Sequence, residues 1–180
     1  MSDYLNEADT DDEEGIREQI AVDPEAQRIA SEEAASQKAL GNTAFGAKNF
    51  DEALTHYSRA IKLLKEARCP RDPLILLNRS ATYLALKRYV PAHYDASQAA
   101  EVDGDNWKAH WRQGVALMSM TKKKFRTSQA IGAFEACLKC STLPADKLDE
   151  ISKELSKAKA RLEQQDADTP PADLSNCAPS

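Results

Sequence analysis

Glycine and aromatic residues are scarce, with six glycines and 6% aromatics in 180 residues. That poverty argues against a β-sandwich and against a nucleotide fold built on Gly-rich loops. No apolar run approaches the roughly 20 residues that cross a bilayer as a helix, so no transmembrane helix is expected. The first residues, Met1-Ser2-Asp3-Tyr4-Leu5-Asn6-Glu7, have no basic region and no apolar segment, so no secretory signal is expected. Four cysteines (Cys69, Cys137, Cys140, Cys177) do not make a disulfide framework and are expected as thiols in a reducing cytosol. Cys137 and Cys140 have the spacing of a zinc or redox half-site. No second pair and no nearby histidine completes four ligands, so no metal and no cofactor is expected. What the chain has in quantity is Ala, Leu, Lys, Glu and Gln, the good helix formers, with 42% apolar residues to build a core. The expectation is an all-α, intracellular chain, cytoplasmic or nuclear, with one domain and tails.

Charge is divided unevenly. Residues 2–33 hold twelve carboxylates against Arg17 and Arg28, whereas residues 34–180 hold 22 basic against 17 acidic residues. The net charge of −5 therefore combines an acidic arm with a cationic body, and a cationic body suits an anionic partner. Residues 1–22 read as an acidic disordered tail. Residues 166–180, polar and Pro-containing, read as a second one. The acidic arm has two readings, a solvating tail and a competitor folded over the chain's own cationic groove.

Between the tails, residues 23–165 repeat themselves. Asp23-Pro24 is a helix-start signal, with an N-cap followed by proline in the first turn. Ile29, Ala30, Ala34, Leu40 and Ala44 then recur at helical spacing. Gly41-Asn42-Thr43-Ala44-Phe45 is followed by Ala53, Tyr57 and Ala60. Asn78-Arg79-Ser80-Ala81-Thr82-Tyr83 is followed by Ala92, Asp95 and Ala99. Trp107 to Gly114 is followed by Ala130, Phe134 and Cys137. The small residues Gly41, Ser80 and Gly114 stand 39 and 34 positions apart. A period near 34, with two helix-length patterns per unit and small residues at fixed offsets, is the tetratricopeptide signature. The small residues allow close helix approach, and Phe45, Tyr57, Tyr83 and Phe134 fill the spaces between. The units fall at about 34–67, 73–106 and 107–141, the first helix being extended. A capping helix over 145–165 carries Leu148, Ile151, Leu155, Ala158 and Leu162 on one stripe. The expected architecture is a right-handed α-solenoid of three helix pairs and a cap, monomeric.

In such arrays the first helix of each pair lines the concave groove. Lys38 and Asn42 are i, i+4 neighbours on one helix face, Lys108 and Arg112 repeat that geometry, and Asn78 comes from the second unit. Three cations and two amides supply charge-assisted and neutral donors, which suit an anion with several carboxylate oxygens. This set resembles the two-carboxylate clamp of co-chaperone tetratricopeptide domains, over roughly residues 34–165. The resemblance implies an adaptor that grips the C-terminal Glu-Glu-Val-Asp of heat-shock protein 90 or 70 chaperones. It implies that Lys38, Asn42, Asn78 and Lys108 hold the terminal carboxylates. It assigns Arg112 to the upstream tail, with Phe45 and Leu84 giving apolar contact. Gln37 in place of a common Trp, Cys137 in place of a common Ala, and an insertion around Thr121–Thr127 depart from the family pattern without touching the clamp. A second partner or client is implied but not identified.

The rivals are a scaffold that takes another peptide in the groove, and one that uses its convex face or a basic loop. Lys122-Lys123-Lys124-Phe125-Arg126 could touch nucleic acid but reads first as a solvated loop. Thr10, before Asp11-Asp12-Glu13, has the composition of an acidophilic phosphosite. Asn78-Arg79-Ser80 matches a glycosylation sequon by chance. His56, His93 and His110 have no triad-like pattern. No catalytic motif is present, and no enzyme is expected.

Overall fold

A computed structural model describes residues 23–120 and 123–168. They form an all-α solenoid, with no strand among the described residues. The helices are α1 (Pro24–Gly46), α2 (Phe50–Glu66), α3 (Pro73–Ala85), α4 (Tyr89–Val102), α5 (Trp107–Ser119) and α6 (Lys124–Lys139). A 3-10 turn (Ala145–Lys147) then leads into α7 (Leu148–Ala167). Each helix packs on the next. The first helices of neighbouring pairs, α1 with α3 and α3 with α5, also touch, while α2 and α4 stand apart across a cleft. The tail at 1–22 with Thr10, most of the tail at 166–180 and Cys177 lie outside the described residues.

The first helix of each pair starts on a side-chain cap. Asp23 accepts from the backbone N–H of Glu25 and Asp72 from Leu74, each carboxylate preceding a proline at the first helical position. Asn106 accepts from Lys108. These acceptors satisfy donors that the first turn cannot pair internally. The second helices lack such caps and are set by the turn before them. Lys48 and Lys87 sit at φ 63° and 57°, and the following amides of Asn49 and Arg88 reach back to Ala44 and Tyr83. A left-handed conformation at a residue bearing a Cβ costs about 1–2 kcal/mol, and glycine adopts it freely. Replacing both lysines by glycine is expected to stabilise the fold by about 0.5 kcal/mol per site, because glycine's greater unfolded-state entropy offsets part of the gain. Chemical denaturation would show it as a higher midpoint at unchanged slope.

Close approach decides the core. A Cβ on Gly41 would lie 2.6 Å from the Tyr57 ring, and one on Gly114 only 2.4 Å from the Phe134 ring. Both aromatics are fully buried, Tyr57 in a cluster rich in alanine and Phe134 among Leu117, Ala130, Cys137 and Ile151. In the middle unit Ser80 takes the small position. In register, the place of Tyr57 is taken by the fully buried Ala96, and the Ser80 hydroxyl donates to the Ala92 carbonyl at 2.7 Å.

Local details depart from the simple pattern in four places, and two of them, the basic loop and the end of the last helix, correct an expectation. Ile29 and Leu40 are about half exposed, and α1 buries only Ala30, Ala34, Gly41 and Ala44, since bulkier side chains would hold α2 away. Lys124, Phe125 and Arg126 form the first turn of α6 rather than a loop. The buried Thr127 anchors that end, and Lys124 pairs with Asp166 of α7. The helix of the last element runs on to Ala167, past the expected start of the tail, supported by that same pair. Cys140 follows α6 as its cap, while Cys137 is a buried thiol donating to the Trp107 carbonyl at 3.2 Å. Burial, and after it Cys140, pushes the Cys137 thiol up to about 12, so it stays protonated.

Candidate functional site

α1, α3 and α5 converge on a pocket of about 320 Å³ lined by Asn42, Phe45, Tyr57, Asn78, Ala81 and Arg112. Tyr57 donates its hydroxyl to Asn42 Oδ1 at 2.8 Å, and Asn78 Nδ2 donates to the same oxygen at 2.9 Å. Burial pushes the Tyr57 hydroxyl up, with the Arg112 charge acting the other way, so at neutral pH it remains a donor. The carbonyl end of Asn42 is thereby satisfied from both sides, which orients its amide N–H groups as the unspent donors. Asn78 keeps a further N–H of its own.

Arg112 supplies the charge. Its Nη1 donates to the Leu77 carbonyl at 2.9 Å, fastening the guanidinium to α3 one residue from Asn78. Burial pushes its pKa down to about 10, with the nearby Tyr57 pulling upward, so it is a cation at neutral pH held in a poorly solvating place. Among the described residues no carboxylate pairs with it. A half-buried guanidinium beside unspent amide donors is incomplete without an anion.

The remaining candidates are disposed differently. Lys38, one turn before Asn42, donates to Asp72 Oδ2 at 2.9 Å, and both side chains are about three-quarters buried. Asp72 is also the cap of α3, so Lys38 ties α1 to the start of the second unit. A ligand carboxylate reaching Lys38 has to share it with Asp72. Lys108, one turn before Arg112, is exposed, and its ammonium lies 5.9 Å from the centre of the Trp107 ring. It makes no ion pair among the described residues, and like Lys38 it lies outside the pocket lining. Leu84 is half-buried on α3 and also outside that lining.

Tyr57, Asp72 and the Leu77 carbonyl were not legible as site groups. The Asp72-Pro73 pair signals a helix start, but nothing local links it to Lys38, which is 34 residues away. A second polar network is likewise new. Arg79 forms a forked pair with Asp95 through Nε and Nη2, both at 2.7 Å, and its Nη1 reaches Ser58 Oγ at 3.2 Å. Its guanidinium also lies 5.9 Å from the Tyr83 ring centre. Burial works against the Arg79 charge, yet the hydrogen bond and charge of Asp95 outweigh it and hold the pKa above the ordinary value. His110 donates to the Gly104 carbonyl at 2.9 Å, and among the described residues no group of acids, cysteines and histidines could hold a metal.

No protein-family model matches the chain. It is 30% identical over 118 residues to RNA polymerase II-associated protein 3 of Xenopus laevis, covering 66% of this chain and 16% of that protein. The first tetratricopeptide domain of Spaghetti (RPAP3), solved with the HSP90 peptide SRMEEVD, superposes with a TM-score of 0.62 at 26% identity, over 74% of this chain and 95% of that one. The second such domain of human RPAP3, in complex with the HSP70 peptide SGPTIEEVD, gives 0.60 at 28% identity, over 72% and 98%. The chain thus spans a small part of the curated relative and nearly the whole of each solved domain.

Proposed function

We propose that the described chain, a tetratricopeptide-like solenoid similar to domains solved with chaperone peptides, is of the co-chaperone type and binds the C-terminal Glu-Glu-Val-Asp tail of heat-shock protein 90 or 70 chaperones. The observation that carries this reading is the Arg112 guanidinium, half-buried and without a carboxylate among the described residues, next to the unspent amide donors of Asn42 and Asn78. Such a site wants a ligand with more than one carboxylate group. Both peptides seen with the similar domains end in that sequence. Lys38 and Lys108, each one turn before a pocket residue, extend the positive surface along the path of the ligand. Phe45 in the pocket lining and Leu84, outside it on α3, are the side chains assigned to apolar contact with the ligand. The protein acts as an adaptor without catalysis, in the compartment of the cytosolic chaperones.

The tail brings about four negative charges at neutral pH. Each charge-assisted hydrogen bond contributes roughly 1.5–3 kcal/mol before the cost of ordering a flexible chain, so affinity is expected on the order of micromolar. Titration by calorimetry with Met-Glu-Glu-Val-Asp as the free acid and as the C-terminal amide is the direct test. The amide removes one charge and is expected to bind at least about tenfold more weakly, the loss of one such contact. Equal affinity for acid and amide would refute a clamp on the chain terminus.

A further inference from the structure

A second cleft, larger than the Arg112 pocket, lies elsewhere on the described chain. It has a volume of about 460 Å³, lies between α2 and α4, and shares no lining residue with that pocket. Ile61, Leu64 and Leu76 form an apolar floor. Lys65, Arg68 and Arg71 stand along one wall, where α2 ends and the chain turns towards α3, and Tyr94 and Gln98 of α4 stand opposite. Arg79 lies deeper and is neutralised by Asp95. Asp72, the one carboxylate in the lining, is committed to Lys38 and to the α3 cap. Arg71 reaches Glu101 at 3.1 Å, but both side chains are at least half exposed, and such pairs hold weakly. Lys65 makes no ion pair among the described residues. The cleft therefore offers an apolar base under a cationic edge, which fits an occupant carrying both carboxylates and aliphatic side chains.

The chain owns such a segment, and it enters the fold beside the cleft. Gln27, in the first turns of α1, donates through Nε2 to the Arg68 carbonyl at 3.1 Å, and its own carbonyl receives the Cys69 thiol at 3.6 Å. The start of α1 is thus fastened to the turn that forms the cationic wall. Asp23 precedes Gln27 by four residues, about 6 Å along the helix axis, whereas Asn42 is about 28 Å from it. Residues 1–22 carry eight carboxylates against the single cation Arg17, and their last ten residues include Glu13, Glu14 and Glu18 with Ile16 and Ile20. A tether this short gives a high effective concentration at the nearer site.

We propose that residues 1–22 dock in the cleft between α2 and α4, their carboxylates against Lys65 and Arg71 and the isoleucines over Ile61, Leu64 and Leu76. The acidic arm then covers this cleft and leaves the Arg112 pocket open, in place of the competition for the groove that charge alone suggested. A partner engaging the cleft would have to present the same chemistry, an acidic segment interspersed with aliphatic residues, and displace the arm.

Arg17 makes the test direct, since it is the one tryptic site within the arm. The full chain is digested with limiting trypsin under native conditions, and release of the fragment 1–17 is followed by mass spectrometry, with the synthetic peptide of residues 1–22 as the unprotected reference. In the intact protein, cleavage is expected at least about tenfold slower than in the free peptide, as docking removes the open form from the protease. The Lys65→Glu/Arg71→Glu variant should restore most of the free-peptide rate, and Ile16→Asn/Ile20→Asn should do so independently. Both variants should stay folded, melting lower by no more than the few degrees that a tenfold docking equilibrium supplies, and should keep the parent's affinity for Met-Glu-Glu-Val-Asp, which separates this proposal from the chaperone reading. Cleavage of the intact protein at the free-peptide rate, or protection indifferent to both variants, would overturn it. Protection that disappears on dilution would place the arm in a second copy's cleft and overturn the intramolecular form.

Discussion

Asp95→Ala is expected to destabilise the domain by about 3–5 kcal/mol, the usual cost of leaving one member of a buried ion pair alone. Asp95 is 1% exposed and receives both arms of the Arg79 fork, while Arg79 also holds Ser58. One guanidinium thereby links α2, α3 and α4. Without the carboxylate a buried cation remains, with no acceptor of its strength in reach. Domains of this size have total stabilities of roughly 5–15 kcal/mol, so the loss consumes a large share of it. Thermal unfolding followed by circular dichroism should show a fall of roughly 10–20 °C. The double variant Arg79→Met/Asp95→Leu removes both charges and fills much the same volume, so it should recover most of that loss. If Asp95→Ala melts within a few degrees of the parent, the pair does not hold the three helices together.

The second large effect is on binding. Arg112→Ala should lower affinity for the free-acid peptide by at least about tenfold, and towards a hundredfold if the full charge-assisted contribution is realised. Arg112→Lys should recover little, because a lysine cannot both hold the Leu77 carbonyl and present a planar fork to a carboxylate. Lys38→Ala should cost less than Arg112→Ala. Lys38 already has a carboxylate in Asp72, so what the ligand gains there is offset by what the internal pair loses. Calorimetry on variants whose melting temperatures match the parent's would settle the order. Arg112→Ala binding within twofold of the parent, or losing less than Lys38→Ala, would contradict the pocket as the seat of recognition.

Much of this protein follows from short-range rules that a sequence exposes. Asp23-Pro24 and Asp72-Pro73 start helices because a cap and a fixed proline φ act within one turn. The spacing of Gly41, Ser80 and Gly114 marks where helices must touch, since only small residues tolerate a Tyr57 or a Phe134 ring at that distance. The i, i+4 rule puts Lys38 with Asn42 and Lys108 with Arg112 without any knowledge of the tertiary fold.

Tertiary packing decided the state of those residues. Lys38 is occupied by Asp72, Asn42 is pinned by Tyr57 and Asn78, and Arg112 is left half-buried without a counter-charge among the described residues. Arg79 and Asp95 become a buried fork, and the entry of α1 is fastened beside the cleft between α2 and α4. Each of these outcomes joins residues 15 to 41 positions apart, on different helices or on the turn between two of them. Caps and periodicity fix what a helix is and which face it buries. The angle and offset at which two helices meet choose which polar side chains neutralise each other and which remain for a ligand.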